Sequence, residues 1–593
     1  MTDYQAPVQD MQFVIEELTD LDSITALPGY EEATVDLVAA VLEQASVFAG
    51  EVFGPLNHPG DEHGTRVEDG LVVSPPGYAE AYQQFAENGW QGLGKTTEYG
   101  GQGMPFLVHS AVAEMWYAAN MAFALCPLLT SGAIEAMGLH ATEEMKQRYL
   151  EKMVSGEWSG TMNLTEPQAG TDLAAIKTRA EPEGDHYRIK GQKIFITWGE
   201  HELSENIVHM VLARLPDAPA GVKGISLFLV PKYLANEDGS RGERNDLRVV
   251  SVESKLGIHS SPTCVMSYGD NEGAIGYLMG QENNGLACMF TMMNNARLEV
   301  GMQGVAISER AYQHALAYAK DRVQGVAHGH SDRSTIIHYP DVRRMLMQMR
   351  ATTEAGRALA YLASAETDRA EHSESQADRS RFQRRVDLLI PIVKGWCTEV
   401  AQEVTYTGVQ IHGGMGFIEE TGAAQHMRDA RILTIYEGTT GIQALDLMGR
   451  KLLRDQGQAM GELIAELEAF NDELAAGGDQ LAAIALVYPS AVSRLRETTA
   501  WYLNEAANDP ELGNAIGVNY MMMAGHVVCA WLMARAALAA QARIDAGASD
   551  DYYRKKINTA IFFAEHILPR SEGLATMIRA GKASIMSIGA EDF

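Results

Sequence analysis

The spacing of apolar positions changes three times along this chain. Up to about residue 155 they recur at helical intervals, as in the amphipathic runs from Glu31 to Phe48 and from Thr142 to Val154. From about 158 to 280 the pattern becomes alternating or β-branched. Its segments are Tyr187 to Lys190, Lys193 to Thr197, Ile207 to Ala213, Gly224 to Val230 and Leu247 to Val252, with Gly, Pro and Asp turns between them. Helical periodicity returns from Gly285 to Lys451, rich in Ala, Met and Leu, with the acidic stretch Glu371 to Asp378 as a solvated inter-helix loop. The remainder is helical again, punctuated by Gly477-Gly478, Asn508-Asp509-Pro510 and Pro569. No repeat of fixed period is present. The pattern predicts an α+β protein of four regions: 1–157 helical, 158–282 β, 283–450 a helical bundle and 451–593 a helical extension.

At 593 residues the chain can bury several cores. Ala515 to Ala534 carries no formal charge and is about long enough to cross a bilayer. Gly517, Asn519, Gly525 and His526 interrupt it, which favours a buried helix over a membrane span. Met1 to Asp20 carries acids throughout and lacks the apolar core of a secretory signal. Cys126, Cys264, Cys288, Cys397 and Cys529 lie far apart without a CxxC, as expected of reduced structural thiols in a cytoplasmic protein with no zinc site.

Charge narrows the choice of ligand. With 78 acidic against 47 basic side chains, the formal net charge is −31, which opposes nucleic acid and anionic lipid as partners. The cations of residues 451–593 are dispersed and matched by acids, so no basic patch forms there. An anionic ligand must be drawn in by local arginines and helix N-termini.

Glu437 is a candidate base. It follows Ile432, Leu433 and Ile435 and precedes Gly438, Thr439 and Thr440. The apolar run is expected to strip water from one side of the carboxylate and raise its pKa towards the range useful for taking a proton from carbon. Gly438 lets backbone come close to a ligand. The alternative is a solvated or capping glutamate. Gly89 to Thr96 fits the phosphate-loop pattern G-x4-G-K-[ST], but it follows an amphipathic helical stretch, Tyr78 to Glu87, and leads into a glycine loop, Glu98 to Gly103. A phosphate loop must follow a strand and open a helix, so a nucleoside triphosphatase is rejected. His328, His330 and His338 lie in a polar insert and are expected to be solvated, with no metal site.

Four separated motifs carry a resemblance. Thr161-Met162-Asn163-Leu164-Thr165-Glu166-Pro167-Gln168-Ala169-Gly170-Thr171-Asp172 resembles the flavin-binding signature of the acyl-CoA dehydrogenases, and Lys193 to Thr197 resembles their second flavin strand. Gln410-Ile411-His412-Gly413-Gly414-Met415-Gly416-Phe417, then Met427 to Ala430 and Tyr436 to Thr439, repeat that family's C-terminal block in order. The likeness covers about residues 40 to 450. Tyr4 to Phe13 and the helical tail resemble the larger, C-terminally extended branch, and within it the methylthiopropionyl-CoA dehydrogenases of sulfur-metabolising bacteria.

That resemblance implies an acyl-CoA dehydrogenase-like fold and FAD-dependent α,β-dehydrogenation of an acyl-CoA. The implied substrate is 3-methylthiopropionyl-CoA, with a short- or medium-chain fatty acyl-CoA as the alternative. Glu437 is implied as the α-proton base. Some relatives take the base from the residue before a motif arginine; here that residue is Ala296, before Arg297. FAD contacts are implied at Met162, Leu164, Thr165, Gly170, Thr171, Phe195, Thr197, Arg322, Gln410, Gly413, Gly414 and Thr439, and substrate contacts at Thr171, Asn294, Arg297, Tyr436 and Gly438. The family's Arg-x-x-Phe-Gly is replaced by Arg322-Val323-Gln324-Gly325, followed by an inserted His328 to Thr335 loop. A homodimer and an electron-transfer flavoprotein as electron acceptor are implied as well. Two other functions share the motifs: an acyl-CoA oxidase, in which oxygen takes the electrons, and a nucleic-acid-binding homologue, which the charge and Glu437 oppose.

Overall fold

A computed structural model describes residues 4–593. The chain divides into two compact units. One, the sheet unit, comprises residues 47–104 and 119–296; the other, the helical unit, comprises the residues up to 46, 105–118 and 297–593.

The sheet unit is organised by eight strands: β1 Trp158–Asn163, β2 Arg179–Glu183, β3 His186–Thr197, β4 Asn206–Ala213, β5 Ser226–Pro231, β6 Leu247–Val252, β7 Thr263–Tyr268 and β8 Ala274–Met279. They follow the order β6-β7-β3-β8-β5-β4-β1, with β2 pairing β3. Only β1 and β4 run parallel among these pairs. β4 and β5 are buried at every position, because both of their faces are covered. Met210, Leu212, Leu227 and Leu229 enter one core with Met153 and Trp158. Val211, Phe228 and Val230 enter the other with Ile189, Met266 and Tyr268.

Sequence periodicity located β4, β5 and β6 and split β3 in two at Gly191. The strand is continuous because Gly191 admits Thr178, whose Oγ1 would lie 2.4 Å from an added Cβ. β1, β2, β7 and β8 escaped the pattern. The polar residues of β1, Ser159, Thr161 and Asn163, are buried by pairing with one another and with neighbouring side chains rather than by apolar alternation. The first region is not wholly helical. Arg66–Glu68 and Leu71–Val73 form a hairpin through Asp69 and Gly70, both at positive φ (50° and 79°), as a two-residue turn requires.

Gly89 to Thr96 follows the helix Tyr78–Glu87, and Lys95 is buried with its ammonium 2.7 Å from Glu135 Oε1. A phosphate-binding lysine must be free to reach its ligand; this one is committed to a carboxylate.

The principal helices are α1 Phe106–His140, α2 Gly285–Asp321, α3 Pro340–His372, α4 Gln376–His412, α5 Ala423–Ala430, α6 Thr440–Leu445, α7 Gln458–Ala476, α8 Ala482–Glu505, α9 Leu512–Asp545, α10 Asp551–Phe562 and α11 Arg570–Arg579. α1 is broken at Asn120 (φ −156°, ψ 89°). The loop between α3 and α4 is shorter than the acidic stretch suggested, because Ser375 caps α4 by accepting from the Asp378 N–H.

α9 contains the uncharged Ala515 to Ala534 segment. It is long and apolar enough to cross a membrane, and most of that stretch is buried in the helical unit. Its glycines are contact points. A Cβ on Gly525 would lie 2.4 Å from Trp396 Cδ1 of α4, and one on Gly395 of α4 would lie 2.3 Å from Met521 Cε. The Trp396 indole N–H donates to His526 Nδ1 over 3.2 Å.

A buried charge network joins the start of the chain to the extension within the helical unit. Arg357 of α3 reaches Glu114 (2.6 Å), Asp10 (2.7 Å) and Glu309 (2.9 Å). Lys556 of α10 donates to Glu354 over 2.6 Å and pairs with Asp10, and Tyr552 donates to Asp10 over 2.7 Å.

Candidate active site

Glu437 lies in the helical unit between a single 3₁₀ turn, Arg431–Thr434, and α6. Two successive residues hold positive φ, Glu437 at 56° and Gly438 at 89°. For the glutamate this costs about 1–2 kcal/mol. At Gly438 a side chain is excluded twice, by φ and by Gln443 Nε2, 2.8 Å from where a Cβ would stand.

Side chains from three helices hold the turn. Gln443 of α6 donates to both the Glu437 and Gly438 carbonyls, each over 3.1 Å. Lys394 of α4 donates to the Gly438 carbonyl over 2.7 Å, and Arg297 Nε of α2 lies 3.4 Å from the Glu437 carbonyl. The Glu437 and Gly438 N–H groups have no acceptor among the described residues. A pair of free N–H groups beside a carboxylate is suited to an oxygen that gains negative charge.

Burial raises the Glu437 pKa above the ordinary carboxylate range, against the opposing charges of Arg297 and Lys394. The expected apolar wall is only partly there. Leu433 is buried, but Ile435 is 46% exposed and supplies no dry surface. The close neighbours are polar: Arg297, itself buried and 3.9 Å from Asp446 Oδ2, and Lys394, which burial brings down to about 8.

Tyr436, half-buried beside the base, starts a polar chain. Its hydroxyl donates to Gln303 Oε1, and Gln303 Nε2 has no partner. Tyr117 donates to Glu299, whose other oxygen lies 3.2 Å from His109 Nε2. Lys394, Gln443, Gln303, Glu299 and Tyr117 were not singled out in the sequence. For Lys394 a signal exists: it is the lone cation in the apolar run Leu388 to Trp396.

The sheet unit holds a second group of candidates. Met162 is buried, Leu164, Thr165 and Thr197 are half-buried, and Gly170 and Thr171 are exposed in the turn before Leu173–Ala175. The segment is tied to β3 by the Ile194 N–H on Thr165 O and by Lys193 Nζ on Leu164 O, both 2.9 Å. Lys193 also pairs with Glu166 over 2.9 Å. β3 bulges where Ile194 and Phe195 oppose Val265 alone. The bulge turns Phe195 outward, 59% exposed at φ 59°. An exposed aromatic face with half-buried hydroxyls near it fits a flat heterocycle such as the flavin ring. Asn294 is half-buried on α2, one turn before Arg297.

The remaining candidates, Arg322, Gln410, Gly413, Gly414 and Thr439, are exposed in the helical unit. Gly413, at φ 60°, ends α4, and an added Cβ on it or on Gly414 would meet nothing, which leaves room for a ligand. Arg322 opens a loop closed by the Val323–Thr335 bridge and makes no ion pair among the described residues. The Thr439 hydroxyl is already used, capping α6 through the Ile442 N–H. The His330 and His338 rings lie 4.6 Å apart, but no group of three metal-ligating side chains is present among the described residues.

The chain aligns with known proteins along its whole length. The chain matches the acyl-CoA dehydrogenase N-terminal domain over residues 62–157, the middle domain over 161–270 and the C-terminal domain over 283–453. Residues 462–589 match a domain described as acetyl-CoA dehydrogenase C-terminal like. It is 50% identical to the 3-methylmercaptopropionyl-CoA dehydrogenase of Ruegeria pomeroyi over 95% of this chain and 96% of that one. A butyryl-CoA dehydrogenase of Syntrophomonas wolfei is 33% identical over 100% of this chain and 99% of that one. The fold is similar to that of an acyl-CoA dehydrogenase from Bacillus anthracis complexed with FAD, at a TM-score of 0.74 and 22% identity over 94% and 90% of the two chains. Alignment along the whole length, through all three dehydrogenase domains and the extension, places this chain in the acyl-CoA dehydrogenase family of FAD-dependent oxidoreductases.

Proposed function

We propose that this acyl-CoA dehydrogenase converts 3-methylthiopropionyl-CoA to its 2-enoyl thioester, with Glu437 removing the α-proton. The observation that carries the base assignment is the clamped turn. A carboxylate of raised pKa stands beside two N–H groups that have no acceptor, while the carbonyls of the same residues are held by side chains. A thioester α-proton is too weakly acidic for a carboxylate in water. Glu437 therefore acts together with a hydrogen bond from its own N–H to the thioester oxygen, worth roughly 3–4 kcal/mol in a dry site, and a ribityl hydroxyl of FAD would supply a second donor. FAD, when bound, accepts the hydride from the β-carbon. Thr165, Thr197 and Phe195 would hold its ring, and Arg322, Gln410, Gly413 and Gly414 would reach the phosphates of the FAD of a neighbouring subunit.

The choice of acyl group rests on the 50% identity with the Ruegeria pomeroyi enzyme. The polar run from Tyr436 to Gln303 supports a short acyl group carrying a heteroatom over a long alkyl chain. A straight short-chain acyl-CoA is the second reading, favoured by the butyryl-CoA dehydrogenase likeness. Electrons would pass to an electron-transfer flavoprotein, in the cytoplasm. The exposed Met415, Phe417, Ile418 and Met427 support a second copy of the chain as a partner in a homodimer.

Anaerobic bleaching of the flavin absorbance tests this reading, with butyryl-CoA, hexadecanoyl-CoA and 3-methylthiopropionyl-CoA, and Glu437→Gln as control. Fast bleaching by 3-methylthiopropionyl-CoA, lost in Glu437→Gln, is expected. No bleaching by any thioester in flavin-loaded protein would reject the base and the substrate class together. Rapid oxygen uptake during turnover would move the assignment to an oxidase.

A further inference from the structure

Lys394 is fully buried in the apolar part of α4, and no carboxylate lies within 4.0 Å of its ammonium among the described residues. Burying an unpaired cation costs several kcal/mol, and a methionine would fill the same space without that cost. Its hydrogen bond goes to Gly438 O, the carbonyl next to the base. Every element packed around Glu437 presents charged groups. Arg297 comes from α2, Lys394 and Glu399 from α4, and Asp446 and Arg450 from the segment after α6, while Tyr436 belongs to the same turn. Most of these are matched. Asp446 is 3.9 Å from Arg297 and 3.2 Å from Arg450, and Glu399 accepts from the Thr440 hydroxyl over 2.5 Å. Lys394 is left with Glu437, and after it Glu399, as the counter-charges in its field.

We propose that Lys394 is a positioning residue for the dehydrogenation. It pins the Gly438 carbonyl and so, together with Gln443 and Arg297 on the Glu437 carbonyl, holds the turn that carries the base, and its charge keeps the base ionised while substrate arrives. This rests on Glu437 being the base. Both effects act through Glu437 and Gly438; Lys394 need not touch substrate. Burial and Arg297 bring its pKa down to about 8 against the pull of Glu437 and Glu399, so the charge is present at neutral pH and lost above that value.

The test uses FAD-loaded Lys394→Met, Lys394→Gln and Lys394→Arg beside wild type and Glu437→Gln, with the thioester that bleaches wild type fastest. kcat, KM and the pH dependence of kcat/KM are read from pH 4 to 10, with flavin content and Tm as controls. For Lys394→Met we expect full flavin content, KM within about threefold of wild type and kcat lowered about 10- to 100-fold, the scale of a small misplacement of a catalytic group. Its acid limb should move to higher pH by at least about half a unit, because removing a nearby cation raises a carboxylate pKa. Lys394→Arg, which keeps the charge, should return the acid limb to its wild-type position. If Lys394→Met does not fold, the acid limb of Lys394→Gln decides. An unmoved acid limb in folded neutral variants overturns the proposal, whether or not kcat falls, since a packing role alone leaves it in place. Full turnover by Glu437→Gln would instead reject the base. An inactive Glu437→Gln with an unmoved limb in Lys394→Met rejects the lysine proposal alone.

Discussion

The Tyr436 hydroxyl donates to Oε1 of Gln303, an amide with no exposed surface, so the residue beside the base is tied to the wall of α2. The amide NH₂ at the other end of Gln303 is unsatisfied. Tyr436→Phe should lower stability by about 1–3 kcal/mol, because it leaves Gln303 Oε1 buried without the hydroxyl that donates to it.

Phe195 pays for its position twice, in strained backbone and in exposed aromatic surface. Phe195→Gly relieves the first and removes the second. The apoprotein should therefore be at least as stable as wild type, while FAD binds about tenfold more weakly, as expected for loss of an aromatic contact of about 1.5 kcal/mol. Thermal unfolding of apoprotein and FAD titration read the two separately. Undiminished FAD affinity would remove Phe195 from the flavin site.

Glu166 and Lys193 form a buried pair beneath that segment. Burial alone would raise the Glu166 pKa, but the Lys193 charge and hydrogen bonds from Thr178 and Lys177 hold it at about 2. Since the folded value lies below the unfolded one, the contribution to stability is complete above the ordinary carboxylate range and is lost as pH falls towards 2. Glu166→Gln should cost about 3–5 kcal/mol at pH 7, because Lys193 remains buried without its counter-charge. The loss relative to wild type should shrink as the pH of the unfolding experiment is lowered from 5 to 3. A constant difference would mean that the pair does not titrate as a unit.

At the other end of the chain, Lys556 neutralises Asp10 and Glu354 together. Lys556→Met should destabilise the helical unit by about 3–5 kcal/mol. Combined with Asp10→Asn, the loss should be smaller than the sum of the two single losses, since the pair is removed together. Additivity within about 0.5 kcal/mol in a urea double-mutant cycle would show that the two residues are not coupled.

Legibility in the sequence followed physical cause. The helix–strand–helix succession and β4, β5 and β6 were visible because burial on one or both faces writes itself as periodicity. β1 was hidden, because its Ser159, Thr161 and Asn163 are satisfied by partners far along the chain, His201 and His209 among them. The Asp69-Gly70 turn was present in the sequence and was passed over inside a helical stretch. At the candidate site, Glu437 and Gly438 were singled out from local composition and from the family motif; burial raises the Glu437 pKa as expected, but only part of the apolar run contributes, since Leu433 is buried and Ile435 is exposed. The clamp as a unit could not be read, although Arg297 was a substrate candidate and Lys394 stands out as a cation in an apolar run. Its members, Arg297, Lys394 and Gln443, are brought to one turn by three helices, and no local spacing announces that meeting.

The fit between Gly525 and Trp396 has a consequence for how the protein is made. α9 is apolar enough to attract a membrane or an aggregation partner while it is unburied. Synthesis runs from the N-terminus, so α3 and α4 leave the ribosome 133 residues before α9 is complete, about 7–27 s at ordinary elongation rates. The surface that receives this insertion-prone stretch is thus built first, and the order of the elements along the polypeptide protects that stretch during its own birth.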